Sequence, residues 1–286
     1  MSNHLKGILI TVLGVIILSP DSVLIRLADA DGWALLFWRG LAYALGVAII
    51  IGVVHRSQSI KVCKDIGKGG LLIGLLAGIS TGTFLFAIEY TSIANTLIII
   101  STSPVMIAIV AWIMLKEKVS LVTLASMAIV FVGIYIVMSE NFGGSNLKGD
   151  IYALITSIMM GVTFTLTRKY KEVDMVPVNI VGGLVAAAIA LVFVDSLIIT
   201  TNAMIYIVAT GVILSISFTL IVIAPRYIPA AEVGMIMPLE TVLGTLIAWV
   251  VINEVPSTNA LIGGSIVIVT LFLHSWYSAH LAKNIT

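Results

Sequence analysis

A shift of 137 residues lays one apolar stretch of this chain over another. It carries Tyr90 onto Tyr227, Ala94 onto Ala231, Trp112 onto Trp249, Glu117 onto Glu254 and Ser120 onto Ser257, with an apolar run between them in both copies. Near the start of the chain a shift of 142 puts Leu5-Lys6-Gly7 on Leu147-Lys148-Gly149, Arg26 on Arg168 and Gly40 on Gly182. The sequence thus reads as two copies of one unit, 1–138 and 149–286, joined by an external linker at 139–148. A repeat of this length restricts the fold to architectures built from two like halves.

The solvent for those halves follows from composition. Hydrophobic residues make up 60% of the 286, charged residues 10%, and mean hydropathy is +1.17. A soluble domain carries roughly 25% charged residues, so most of this chain faces lipid. Windows of about 20 apolar residues, enough to cross a bilayer as helix, fall near 7–29, 32–54, 70–90, 94–115, 119–138, 149–168, 175–197, 203–224, 229–251 and 257–278. The first is too long for the apolar core of a secretory signal and lacks a small-x-small cleavage site, so it is read as a spanning helix. The expected fold is all-α integral membrane, with ten transmembrane helices. The connections are short, which leaves no room for an extramembrane domain and puts any activity inside the bundle.

Charge placement orients the spans. With the N-terminus inside, the cytoplasmic segments collect Lys6, Arg56, Lys61, Lys64, Lys68, Lys116, Lys118, Arg168, Lys169, Lys171, Arg226 and Lys283, against Lys148 alone outside. Cytoplasmic loops are enriched in Lys and Arg, so both termini are expected in the cytoplasm. Five spans per copy is an odd number, so the second copy enters the membrane from the opposite side. Two inverted five-helix repeats can rock about one central site to expose it alternately to each face, an architecture used by transporters.

Ionisable groups at membrane depth cost about 2.5–3.5 kcal/mol each at the helix centre on insertion scales, which makes them candidates for function. Glu240 falls near the middle of the ninth span, Asp21 in the outer part of the first and Arg39 in the outer half of the second. Arg26 lies close enough to a span end to snorkel. Asp21 and Arg39 admit two readings, a buried ion pair or direct substrate contacts. Glu240 has no basic residue three or four positions away, and Gly244 one turn on suggests open space beside it; this carboxylate could hold a cationic group or a coupling proton, or reach Arg39 from another helix. Trp38, beside Phe37 and Arg39, is a candidate for stacking on substrate, and Ser103, with Ser101 and Thr102, for a polar lining, as are Thr163, Thr165 and Thr167. Pro20, Pro104 and Pro238 each remove a ladder donor within a span, and broken helices at depth face a cavity or another helix. Gly70, Gly74, Gly78 and Gly82 recur at every turn of the third span, the small-xxx-small spacing of close helix packing.

Absences narrow the function further. The sequence has no G-x-x-x-x-G-K-[ST] phosphate loop, no H-E-x-x-H and no Cys/His cluster, so neither an enzyme, a cofactor nor a metal is expected. The single cysteine, Cys63, excludes an intramolecular disulfide framework.

The stretches A-W-I-M-L-K-E-K-V-S at 111–120 and A-W-V-V-I-N-E-V-P-S at 248–257 each end a helix at a glutamate before a short turn into a final span. With P-D-S-V-L-I-R-L at 20–27 and F-W-R-G at 37–40, they make the chain resemble the drug/metabolite transporter superfamily, EamA type, over essentially its whole length. The resemblance implies a ten-helix basket with spans 1–4 and 6–9 around a central cavity and spans 5 and 10 at its periphery. It also implies transport of small metabolites, often export of amino acids or related compounds, in a bacterial inner membrane. The expectation is therefore a secondary transporter of a small polar or zwitterionic metabolite working by alternating access. Arg39 would take a carboxylate, and Glu240 or Asp21 an amine, with Glu240 as the proton-coupling candidate. The alternative is a channel-like or structural membrane subunit. The expected partners are a small-molecule substrate and the lipid bilayer, with no nucleic acid, in a monomer or homodimer.

Overall fold

A computed structural model describes residues 3–115, 121–139, 146–170, 172–227, 233 and 236–283. The repeat positions Glu117, Ser120 and Ala231, together with Gly234, most of the 139–148 linker and Lys171, lie outside them. Among the described residues all regular structure is helical. In chain order the helices are α1 (Asn3–Leu18), α2 (Asp21–Ala28), α3 (Gly32–His55), α4 (Ser59–Asp65), α5 (Gly67–Tyr90), α6 (Ile93–Ile100), α7 (Ser103–Leu115), α8 (Leu121–Ser139), α9 (Leu147–Lys169), α10 (Val178–Phe193), α11 (Thr201–Ile223), α12 (Pro238–Ile252) and α13 (Thr258–Lys283).

Several of these helices start where side-chain chemistry says they should. Asp31 accepts from the backbone of Trp33 at 3.1 Å and Ala34 at 2.9 Å to cap α3. Ser92 caps α6 through Asn95 and Thr200 caps α11 through Ala203, each satisfying an N–H left open in the first turn.

Among the described residues six helical segments are long and apolar enough to cross a membrane: Leu5–Ala28, Gly32–Asp65, Gly67–Tyr90, Ile93–Met114, Leu147–Thr167 and Thr201–Ile223. Shorter apolar helices occupy Ala125–Ser139, Val178–Phe193, Pro238–Ile252 and Thr258–Leu273. The equal-length windows read from hydropathy thus resolve into unequal helices. The apolar run 175–197 stops being helical at Val194, whose backbone is extended (ψ 130°). The described helix in 229–251 begins at Pro238, where a missing N–H costs nothing in a first turn.

Outward faces are apolar. Leu13, Leu45, Val53, Leu71, Val192 and Val250 are all exposed, a contiguous greasy surface of the kind that marks membrane contact. Trp112 and Trp249, the paired tryptophans of the two copies, are also exposed.

The inward faces approach closely through glycine. Helices α3 and α10 cross so tightly that a Cβ on Gly40 would lie 2.6 Å from the carbonyl of Gly183, and one on Gly183 would lie 2.6 Å from that of Gly40. Helices α8 and α13 cross in the same way at Gly133 and Gly263. The glycine face of α5 packs on α10, with Gly74 against Val181 and Gly78 against Val185. Helices α1 and α2 lie on α11, α5 lies on α9 and α10, and α3 on α11. These contacts leave a space at the centre of the bundle.

Candidate functional site

Three apolar segments are broken at depth, and each break places a polar group at the start of a new half-helix. In the first, the ladder ends at Ser19, whose N–H and hydroxyl both go to the Val15 carbonyl. Pro20 follows, and Asp21 opens α2. In the fourth, Ser101 and Thr102 separate α6 from α7; their hydroxyls donate to the carbonyls of Ile98 and Ile99, the latter also accepting from the Thr102 N–H, and Pro104 has no N–H to offer Ile100. In the ninth, Pro238 opens α12 and Glu240 stands in its first turn. A helix N-terminus carries partial positive charge, so both carboxylates sit where the backbone dipole favours them.

The two acids then part company. Asp21 Oδ2 accepts from Arg39 Nη2 at 2.5 Å, and the two side chains are 3% and 2% exposed. Of the two readings left open by the sequence, the structure shows the ion pair. Asp21 Oδ1 and Arg39 Nε and Nη1 are sealed from solvent without a hydrogen-bond partner, and the Arg39 guanidinium stands 5.8 Å from the Phe84 ring centroid. The Glu240 side chain has no hydrogen bond or ion pair among the described residues. Asp21 is the charged group acting on it electrostatically.

Glu240 faces a cavity of about 530 Å³ whose wall draws on both copies of the repeat. Leu18, Asp21, Arg39, Tyr43, Ser80 and Phe84 come from the first copy, and Thr156, Thr163, Phe164, Asn179, Phe218 and Glu240 from the second. At one end its wall includes exposed Arg226 with half-buried Tyr227 and Val173. Its rim is held by Arg226, which contacts Asp174 at 2.9 Å, with His55 3.4 Å from the same carboxylate.

At the opposite end of the bundle, helices α2, α6 and α12 are tied together. Arg26 donates to the Thr91 carbonyl at 2.8 Å and lies 3.6 Å from Glu254. Glu254 in turn accepts from the N–H of Ile93 at 2.5 Å, its position set by Asn253 turning left-handed (φ 55°) at the end of α12. Thr91 donates to Asp150 at 2.8 Å, and an aromatic layer of Trp33, Phe86, Tyr90 and Tyr152 lies in ring contact nearby. Arg26 is therefore a tie between α2, the start of α6 and the end of α12, where snorkelling was expected.

Other expectations meet the structure unevenly. Trp38 donates its indole N–H to the Leu197 carbonyl at 3.0 Å and stands off the cavity wall, as does buried Ser103. Thr163 and Thr167 line the wall, while Thr165 is bonded to its own helix at Gly161. The open space expected at Gly244 is absent. A Cβ there would lie 2.5 Å from Leu97 and 3.4 Å from the Ser19 carbonyl, because α12 rides directly on the Pro20 break. Tyr43, Phe84, Met160 and Asn179 are wall residues the sequence reading did not single out. Tyr43 had one available signal: it lies four residues after Arg39 and so on the same helical face.

Helices long and apolar enough to cross a membrane thus surround a central cavity. The chain belongs to the EamA-like transporter family, which it matches over residues 5–139 and 147–276. It is similar to an "Uncharacterized transporter" of Clostridium kluyveri, 22% identical over 262 residues that cover 85% of this chain and 84% of that one. In three dimensions it is similar to a solved structure described only as "Crystal structure of protein", with a TM-score of 0.70 and 16% identity over 97% of this chain and 99% of that one.

Proposed function

We propose that this protein is a secondary transporter of a small polar, amine-bearing metabolite, exported across a bacterial inner membrane by alternating access. In this reading ten spans form two inverted five-helix repeats with both termini in the cytoplasm. The observation that carries it is the cavity lined from both halves of the chain, with exposed Arg226 at one end of its wall and the Arg26–Glu254 contact outside it, which we read as an open end and a closed one. A pore would be continuous, whereas a carrier seals one end while the other is open. Helix packing supports the inverted repeat: α3 meets α10 and α8 meets α13, each a helix against its own repeat counterpart, and the contact of α1 and α2 with α11 has its counterpart in α9 with α5. By the distribution of basic residues the Arg226 end is the cytoplasmic one, so the conformation is inward-facing. Glu240 is the group proposed to hold substrate or a coupling proton in turn.

Proteoliposomes loaded with candidate amino acids and amines test the reading. A carrier gives saturable uptake and accelerates exchange of labelled solute when the same solute is present on the other side. Uptake that never saturates and shows no counterflow refutes it in favour of a channel.

A further inference from the structure

We infer that the species this cavity accepts carries one net positive charge: a small organic monocation, a protonated amine or quaternary ammonium on an apolar body. The inference rests on the carrier reading above and narrows its substrate.

The argument is a count of charges that a ligand can reach. Among the described residues four acidic and basic side chains contribute to the wall: Asp21, Arg39, Arg226 and Glu240. Asp21 and Arg39 cancel across 2.5 Å, and their remaining polar atoms are out of solvent's reach. A substrate carboxylate gains nothing from Arg39 unless that pair first opens. Arg226 is at the rim and is engaged by Asp174. What remains is one carboxylate, Glu240, partly accessible from the cavity and without a partner among the described residues.

The rest of the wall agrees with a cationic ligand. Between the charged groups it offers hydroxyls and the rings of Tyr43, Phe84, Phe164 and Phe218. Aromatic faces attract cations and accept apolar bodies. An anion would meet Glu240, while the two cations among the described wall residues, Arg39 and Arg226, are already engaged by carboxylates. A zwitterion would satisfy Glu240 with its ammonium, but among the described wall residues its carboxylate would find only neutral donors, such as the Asn179 amide and hydroxyls, and a buried charge without a counter-ion is costly. The zwitterionic substrate expected from the sequence required Arg39 to be free, and Arg39 is occupied.

Matched trios test this on the wild-type protein, full length and in detergent. Each trio holds the apolar body constant and changes only charge, as in 2-phenylethylamine, phenylalanine and 3-phenylpropionate, with parallel trios on indole and butyl bodies. Binding is read by calorimetric titration and by the thermal stabilisation a ligand confers on the folded state. The expected order is cation, then zwitterion, then anion, with at least one monocation bound about tenfold or more tighter than its matched zwitterion. In Glu240→Gln, which keeps the shape and removes the charge, that preference disappears while binding of the apolar body persists weakly. The inference is overturned if no monocation in the panel outbinds its matched zwitterion, or if the preference survives Glu240→Gln. A cation that binds through Glu240 but shows no counterflow refutes the carrier reading and leaves the charge preference standing.

Discussion

The first and ninth apolar segments use the same local device and reach different ends. Each breaks at a proline, Pro20 or Pro238, and each presents a carboxylate in the opening turn of the half-helix that follows. Asp21 finds Arg39 on α3 and disappears into the packing; Glu240 finds no cation among the described residues and faces the cavity. A broken helix with an acid is therefore a structural joint or a working group according to what the neighbouring helix supplies. The two joints also touch each other, since Gly244 on α12 lies against the Ser19 carbonyl at the Pro20 break. The contact predicts that movement at one joint is felt at the other.

Removing the neutralising partner tests the structural side of the comparison and carries the largest effect. Arg39→Met leaves Asp21 buried and unpaired, which costs about 3–5 kcal/mol where one member of a buried pair is lost. Thermal unfolding in detergent should show the loss, and Asp21→Asn combined with Arg39→Gln should recover most of it. A single variant that melts with the wild type would break the comparison.

Glu240→Gln tests the other side. Its stability should stay within about 1 kcal/mol of the wild type, because no partner is orphaned. Counterflow in proteoliposomes, and its dependence on pH, should both be lost. Transport that keeps its rate and pH profile in this variant removes Glu240 from the coupling role.

Gly244→Ala sharpens the contact between the two joints. The added methyl meets the end of Leu97, which can rotate, and approaches the Ser19 carbonyl, which cannot, so a cost of about 1 kcal/mol is expected together with slower exchange. Unchanged exchange would mean that the joints move independently.

The smallest effect is at the closed end. Arg26 is about a third exposed (36%), and ion pairs of that kind contribute about 0.2–1 kcal/mol. Arg26→Gln should hardly alter the melting temperature. In a Cys63→Ser background with a reporter cysteine at Thr81, however, a membrane-impermeant thiol reagent applied from the Arg26 side should label several-fold faster. Equal labelling rates would show that the aromatic layer alone closes that end.

Much of the fold was legible in one dimension. Every apolar window contains helix, and the glycine spacing of the third segment predicts the face that α5 packs on α10. The three prolines mark where helices restart. The candidate site was legible in its charges and illegible in its wall. Glu240, Asp21 and Arg39 stand out because charge is rare in apolar runs, whereas Tyr43, Phe84 and Asn179 look like ordinary members of a membrane helix. Trp38 and Ser103 were singled out for their neighbours in sequence, and the helix turns them elsewhere: Trp38 reaches Leu197, 159 positions away.

By itself, then, the sequence determined that the chain lives in lipid, that its unit is repeated, and which side chains are too costly to be there without a reason. These are properties of composition and period, and they need no partner. Only the tertiary structure decided which costly charge is cancelled and which is left to act. Pairing depends on contacts between helices far apart in the chain, and a distance of 2.5 Å between Asp21 and Arg39 separates a structural acid from the unpartnered one at Glu240.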